Sequence, residues 1–536
     1  MSSRADQKLP PLIRALLRSD AYDHPVSRVE LVETHISWVI LTGRYAYKIK
    51  KPIDLGFVDF STLERRQLCC QEEIRLNRRL APKIYIGVVS IIGSAESPRI
   101  SPNGNKPIEY AVKMVQFSRA GELDKMVERG ELAQCHIKAF ARLIARFHES
   151  IDRPSADSGY GNSEQVSQPV EENFKQIRQR VSETECLVKL DQLEKWSRDQ
   201  FQRLEPLFES RKEDGYVREC HGDLHLANMA WIEGEPLVFD CIEFNPSLRW
   251  IDVLSEIAFL TIDLEERGQA ELAYLFLNAY LELSGDYAGL PVLNFYFAYR
   301  LMVRAKVEAI RAHQQPRDSE LRIDGEKSFR MYLELAVGHT QPKKPLLLIT
   351  CGLSGSGKSS LTQSLLGPLR AIRIRSDVER KRLYGLPTEE AGERKSNLDL
   401  YGNKATKRTY EKLVELAERG LDSGFTIIVD ATCLKAGQRK LFQTLAAKKQ
   451  APYSILNATA SEKELRRRLE NRRNGVSDAG VTVMQEQLSA FEAFSDTETP
   501  HLIQVDTGLE IDTNALVERI EVFASIPAEH KHGNSS

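Results

Sequence analysis

Between residues 30 and 50 the chain reads ELVETHISWVILTGRYAYKIK, two apolar, β-rich runs on either side of Thr42-Gly43-Arg44. That alternation around a turn predicts a β-hairpin. The next stretch, STLERRQLCCQEEIRLNRRLAP, changes period: Leu63, Leu68, Ile74, Leu76 and Leu80 recur at helical spacing, and Pro82 closes the run. IYIGVVSII and IEYAVKMVQF predict two more strands, with the turn SPNGNKP between them. Residues 30–118 therefore predict a small sheet with one helix. From 119 to 210 the pattern is helical, including 121–150 and much of 170–210, interrupted by a predicted loop, RPSADSGYGNSEQVSQP. PLVFDCIEF holds an apolar strand candidate ending in Asp240, and 250–335 is again mostly helical.

A break follows at GHTQPKKP, residues 338–345, with two Pro, a Gly and a basic pair. Beyond it LLLITCGLSGSGKSSLTQSLL runs from apolar strand to Gly-rich turn to helix. AIRIRSD, TIIVDATC and APYSILNATA are strand candidates between helical segments, and the alternation predicts a parallel α/β sheet. The tail EHKHGNSS is polar.

Length changes the picture by allowing several cores in the 536 residues. Charge narrows the partners. With 74 basic and 76 acidic side chains the formal net charge is −2, which argues against bulk capture of nucleic acid. The eight Cys form no C-x-x-C pair, so neither a disulfide framework nor a zinc site is expected. No run of about 18 apolar residues occurs, and the N-terminus lacks a signal-type apolar core, so a cytoplasmic chain with no membrane span is expected.

Two short stretches carry chemistry. In GLSGSGKS, comprising Gly352, Leu353, Ser354, Gly355, Ser356, Gly357, Lys358 and Ser359, with Ser360 following, every fixed position of G-x-x-x-x-G-K-[ST] is filled. Glycines let backbone N–H groups turn inward around phosphate oxygens, and the helix that follows offers its positive end. Lys358 would reach the β/γ-phosphates, and the Ser359 hydroxyl would help to hold Mg²⁺. Asp430 ends the run TIIVD, where a carboxylate serves either as a metal acid or as a turn residue. Asp377 ends IRIRSD, as a base for an acceptor hydroxyl, a helix cap, or both. Arg468 and Arg472 lie four apart on one helix face, as a lid over the triphosphate or as a solvated basic face. The other stretch is CHGDLHLANM. Asp223 stands five residues before Asn228, the separation a kinase-type loop needs between the acid that takes a hydroxyl proton and the amide that holds a metal.

On the Walker A run, the RSD and DAT strand ends and the R-x-x-x-R helix, residues 346–528 resemble the P-loop kinases that include polynucleotide kinases, gluconate-type kinases and zeta toxins. On HGDLHLAN, residues 1–337 resemble the aminoglycoside phosphotransferases, which share the protein-kinase-like fold. That second resemblance implies further roles. Lys48, with Lys50 as its rival on the same strand face, would contact phosphates. Glu73, with Glu72 as its rival, would pair with that lysine. Met114 would mark the adenine-holding hinge, Asn228 and Asp240 would bind metal, and Asp223 would act on the acceptor hydroxyl. The chain departs from the protein-kinase pattern in having no G-x-G-x-x-G, since the residues before Val39 read VETHISW, and in having Cys-Ile after Asp240. Together the two halves resemble the bacterial bifunctional aminoglycoside phosphotransferase/ATP-binding proteins.

The expected fold is thus mixed α/β and α+β. A bilobal protein-kinase-like domain, with an N-lobe to about 118 and a C-lobe over 119–337, precedes a linker at 338–345. A three-layer α/β P-loop domain with a parallel sheet follows over 346–528, and then a tail over 529–536. The expected activity is transfer of the γ-phosphate of ATP, with Mg²⁺, to a hydroxyl of a small molecule. Asp223 and Asp377 would be the two bases. Two other readings stay open: one half as a nucleotide-sensing module, and a nucleic-acid 5′-end kinase. The acceptor and the oligomeric state are not legible in the sequence.

Overall fold

The computed structural model describes residues 9–388, 400, 402–470 and 481–525, apart from single positions 55, 57, 103, 156, 317 and 343. The expected tail at 529–536 lies outside the described residues. The chain forms two compact units. One comprises Met1–Leu132, Arg146–Ser167 and Phe208–Leu260; the other comprises Ala133–Ala145, Gln168–Leu207 and Thr261–Ser536. These units do not divide the chain at the 338–345 break, because the helices from 261 to 340 pack into the same unit as the residues that follow them.

In the first unit six antiparallel strands form one sheet, in the order β1-β2-β3-β6-β4-β5. They are β1 (Glu30–Glu33), β2 (Ser37–Leu41), β3 (Tyr45–Lys50), β4 (Tyr85–Gly93), β5 (Pro98–Ser101) and β6 (Glu109–Val115). The predicted hairpin is β2–β3, and Gly43 takes a φ of 89° at its turn. Alternation gives the sheet two apolar faces. Ile40, Tyr47, Ile49 and Val89 meet Ile13 and Leu16 of the helix Pro11–Leu16. Val112 and Tyr85 meet Cys70 and Ile74 of the helix Leu63–Asn77, whose N-cap Thr62 accepts the Arg65 N–H. The predicted helix and strands are therefore present.

Four short strands follow: β7 (Val217–Glu219), β8 (Met229–Ile232), β9 (Glu235–Val238) and β10 (Trp250–Asp252). β7 pairs with β10 and β8 with β9, so the apolar run expected at PLVFDCIEF ends as a strand at Val238, two residues before Asp240. Two other expectations shift. The stretch 121–150 is two helices, Leu123–Glu128 and Gln134–Ser150, separated near Gly130 at φ 68°. The expected loop to residue 169 gives way to a helix from Ser163, because Asn162 Oδ1 accepts the Gln165 N–H and the helix carries Pro169 inside it.

In the second unit five strands lie parallel in the order β12-β13-β11-β14-β15. They are β11 (Leu347–Cys351), β12 (Ile372–Arg375), β13 (Ile427–Asp430), β14 (Tyr453–Thr459) and β15 (Leu502–Asp506). β11 is buried at all five positions, as a central strand covered on both faces must be. β15 was not among the predicted strands; its half-buried alternation is that of an edge.

The opposite edge, β12, is closed by a side chain. Asn278, fully buried on the helix Ala270–Ser284, donates to Ala371 O at 2.9 Å and accepts the Arg373 N–H at 2.6 Å. Asn278→Leu keeps the volume and strips both partners from buried backbone groups. At about 1–3 kcal/mol per orphaned group, the variant is expected to unfold at clearly lower urea concentration than the parent. Coincident urea midpoints would remove Asn278 as the clamp of this edge.

Candidate active sites

In the first unit β3 places Lys48 and Lys50 on the face covered by the helix Leu63–Asn77. Both reach Glu73, and their other partners differ. Lys48 Nζ lies 3.0 Å from Glu73 Oε1 and pairs closely with Asp240. Lys50, with no exposure, is held between Glu73 and Glu243. Glu72 points elsewhere, to Arg75 at 2.7 Å and Arg249 at 2.7 Å. Glu73 thus meets both lysines while Glu72 pairs with arginines; Lys48, Glu73 and Asp240 form one cluster, and Lys50 lies buried beside it between Glu73 and Glu243. Burial opposes the charge on Lys48, yet Asp240 and Glu73 hold its pKa well above the usual lysine value. Burial likewise opposes ionisation of Asp240, and Lys48 outweighs it, so that carboxyl titrates below its usual range. For Glu243 burial wins and the pKa rises.

Asp240 adopts a φ of 65°, a conformation that a non-glycine residue rarely holds without support. Its N–H donates to the Tyr85 hydroxyl at 3.1 Å. Met114 stands on β6 opposite Ala46 and Tyr85. The chain leaves the sheet just beyond it, where Gln116 N–H donates to Arg44 O at 3.1 Å.

The stretch HGDLHLAN leaves β7 and is braced from below. Buried His221 donates from Nε2 to Phe239 O at 2.8 Å and accepts the Asp223 N–H at Nδ1, a pattern that assigns the neutral Nε2–H tautomer. Burial lowers its pKa accordingly. Gly222 has a φ of 90°, and a Cβ there would stand 2.8 Å from Leu248 O, so the motif requires glycine. Its N–H donates to Glu256 Oε1 at 2.6 Å, and Glu256 Oε2 lies 2.8 Å from His148 Nε2. His148, Cys220 and Glu256 bring ligand-type atoms within 4.8 Å of one another. The bonds from Glu256 to His148 and to Gly222 make the cluster a support for the loop. Above it Asn228 Nδ2 donates to Asp223 O at 3.0 Å and to Asp223 Oδ2 at 3.1 Å. The loop thereby brings the acid and the amide together, with 38% of the Asp223 side chain exposed.

In the second unit the turn after β11 encloses a cavity of 420 Å³. Ser354, Gly355, Gly357, Lys358, Ser359 and Ser360 line it, together with Asp377, Asp430, Arg375, Arg380, Arg467 and Arg468. Gly352, Leu353 and Ser356 complete the turn. Gly357 takes a φ of 82° and opens the helix Lys358–Leu365. Lys358 Nζ donates to Gly352 O at 2.9 Å and Leu353 O at 2.8 Å. Burial lowers its pKa, although Asp430 and Asp377 act against that. The Ser359 hydroxyl donates to Asp430 Oδ2 at 2.8 Å. Arg468 bonds Glu464 Oε1 at 2.7 Å and Thr507 O at 2.7 Å, and so is held at the cavity wall rather than free in solvent. Arg472 lies outside the described residues.

Sequence reasoning missed several participants. Glu243 stands three residues after Asp240 and Arg375 two before Asp377, both inside stretches already singled out. Gln487, whose Oε1 accepts the Ser354 N–H at 2.8 Å, carried no local signal.

Among the described residues no helix is long and apolar enough to cross a membrane. Comparison with known proteins divides along the same motifs. A family model described as the phosphotransferase enzyme family matches residues 121–293, and one described as an AAA domain matches 347–494. The uncharacterized protein Rv2004c of Mycobacterium tuberculosis (strain ATCC 25618 / H37Rv) is 30% identical over 501 residues, spanning 92% of this chain and 95% of that protein. The uncharacterized protein Mb2027c of Mycobacterium bovis matches with the same figures. Among solved structures, an ethanolamine kinase of Plasmodium vivax aligns over 61% of this chain and 88% of its own at 11% identity, with a TM-score of 0.38. A sugar kinase from Janibacter sp. HTCC2649 aligns over 35% of this chain and 99% of its own at 18% identity, with a TM-score of 0.27.

Proposed function

This chain belongs to the phosphotransferase–AAA family that includes the mycobacterial protein Rv2004c, and from that premise we propose that each of its two sites transfers the γ-phosphoryl group of ATP to a hydroxyl of a small molecule. Phosphotransfer of a general kind follows from the family; the acceptor class and the residue roles are our reading. The observation that carries it is the pairing of Lys48 with both Glu73 and Asp240, residues that the chain separates widely.

In the first site Lys48 neutralises phosphate charge, and Glu73 fixes it in place. Asp223 orients the acceptor hydroxyl and takes its proton as the oxygen attacks phosphorus and the bond to ADP breaks. In the second site Lys358 and the turn amides bind phosphate, Arg468 closes the wall, and Asp377 serves as base. Hard oxygen donors suit Mg²⁺: Asn228 and Asp240 would hold it in the first site, and Ser359 with Asp430 in the second. When bound, the ion would supply positive charge to the nucleotide phosphates. The balanced net charge supports a small acceptor over a nucleic acid.

The test is transfer from γ-labelled ATP into a small-metabolite extract. A labelled metabolite is expected. Nucleotide binding with no labelled product would favour a nucleotide-sensing role in place of catalysis.

A further inference from the structure

Glu282 lies on the helix Ala270–Ser284, inside the stretch that matches the phosphotransferase family and far from the Walker A turn in sequence. Within the second unit, however, its carboxylate is clasped by two arginines of β12. Arg373 NH2 is 2.8 Å from Glu282 Oε1, and Arg375 NH1 is 3.2 Å from Glu282 Oε2. Both arginines lead into the P-loop site. Arg373 NH1 donates to the main-chain oxygen of Ser359 at 3.2 Å. Arg375 lines the cavity, with its Nε 3.7 Å from Asp430 Oδ2.

Arg375 therefore stands between two carboxylates. One of them, Asp430, is the acid assigned to the metal, and it already accepts the Ser359 hydroxyl. A guanidinium and a divalent cation compete for such a group, because each needs the same lone pairs. Glu282 offers the guanidinium another anion. The groups are nearly enclosed, with side-chain exposures of 6% for Arg373, 15% for Arg375 and 14% for Glu282, so their attraction is weakly screened. Asn278, one turn earlier on the same helix, fixes its register on β12 through two backbone bonds.

We propose that Glu282 is a positioning residue of the P-loop site: by sharing Arg375 it keeps the guanidinium from closing on Asp430 beyond the present 3.7 Å ion pair, leaving that carboxylate able to take the metal and the guanidinium in the cavity as a fixed positive charge. This inference rests on the reading of Lys358, Ser359 and Asp430 as a metal–nucleotide site. Without the Glu282 charge, Arg375 closes on Asp430, and the site needs more Mg²⁺ to bind nucleotide.

The experiment titrates Mg²⁺ against binding of a fluorescent ATP analogue to the full chain, taking as the P-loop signal the component that Lys358→Ala removes. Glu282→Gln is expected to raise the Mg²⁺ concentration at half-saturation of that component roughly tenfold. Arg375→Met, added to Glu282→Gln, removes the competitor and is expected to bring the half-point back, while nucleotide affinity at saturating Mg²⁺ falls. A role in packing alone would not be reversed by a second substitution. An unshifted half-point in Glu282→Gln overturns the inference and leaves the site reading standing. A shift that Arg375→Met does not reverse also overturns it. If Lys358→Ala removes no component, the site reading fails and takes this inference with it.

Discussion

Asp223→Asn is expected to lower phosphoryl transfer by the first site roughly 10²- to 10⁴-fold while nucleotide still binds. The two side chains have the same shape, and only the carboxylate can take the proton from an attacking hydroxyl. The loop keeps its form in the variant, because three of its bonds do not use the carboxylate, and the amide oxygen of the variant can still accept from Asn228 Nδ2 and face His225 Nε2 as Asp223 Oδ2 does. His221 Nδ1 accepts the Asp223 N–H, Asn228 Nδ2 donates to Asp223 O at 3.0 Å, and Glu256 accepts the Gly222 N–H. The Lys48–Glu73–Asp240 cluster does not include Asp223, so the phosphate contacts assigned to it survive. The measurement is transfer from labelled ATP by the full chain, with the second site silenced by Lys358→Ala. Undiminished transfer in Asp223→Asn would show that another group takes the proton. Lost nucleotide binding would show that Asp223 does more than act on the acceptor.

The ease of reading each feature tracked its distance along the chain. The Walker A turn is local: its glycines hold positive φ within six residues, so spacing alone reveals it. HGDLHLAN is local too, since Asn228 bonds Asp223 across five positions. Lys48 was legible only as far as its period. Lys50 shares its face and also touches Glu73, and what separates them is which acid each meets beyond position 239, Asp240 or Glu243. No local pattern carries that pairing. Arg375 was visible as a letter in IRIRSD but not as a neighbour of Glu282, because the helix that delivers Glu282 lies on the other side of the 338–345 break. For the same reason the expected domain boundary differs from the compact units: helical periodicity shows that 270–284 has an apolar face, and does not show which sheet covers it. β15 went unseen because LIQVD is short, half-buried and alternating, a weak signal at an edge. Pro169 misled in the opposite direction. Proline marks the end of many helices, but here Asn162 caps the helix about two turns earlier and the proline falls inside it.

Lys358→Met is expected to abolish nucleotide-induced stabilisation at the second site, to cut its transfer by about 10²- to 10³-fold, and to leave the ligand-free protein at least as stable as the parent. The first two effects follow from losing the one lysine among the described residues that line the cavity. The third follows from what that lysine costs when no phosphate is present. Burial lowers its pKa below the ordinary lysine value despite Asp430 and Asp377, so the folded state binds the Lys358 proton less tightly than the unfolded chain does. By linkage the charged form then weighs against folding at neutral pH. Stability is recovered only as pH rises through the lowered folded value toward the ordinary one. Methionine fills the same space without the charge, and gives up the bonds to Gly352 O and Leu353 O and the attraction of Asp430 and Asp377, which burial outweighs. Thermal unfolding with and without Mg²⁺ and ATP checks all of this in the full chain, using Asp223→Asn as the background for transfer. A variant that unfolds earlier without ligand would show that Lys358 chiefly ties the turn together. A variant with parental transfer would remove it from the chemistry. A ligand-free gain together with lost nucleotide stabilisation would mark a residue whose place in the fold is justified only by the phosphate it meets.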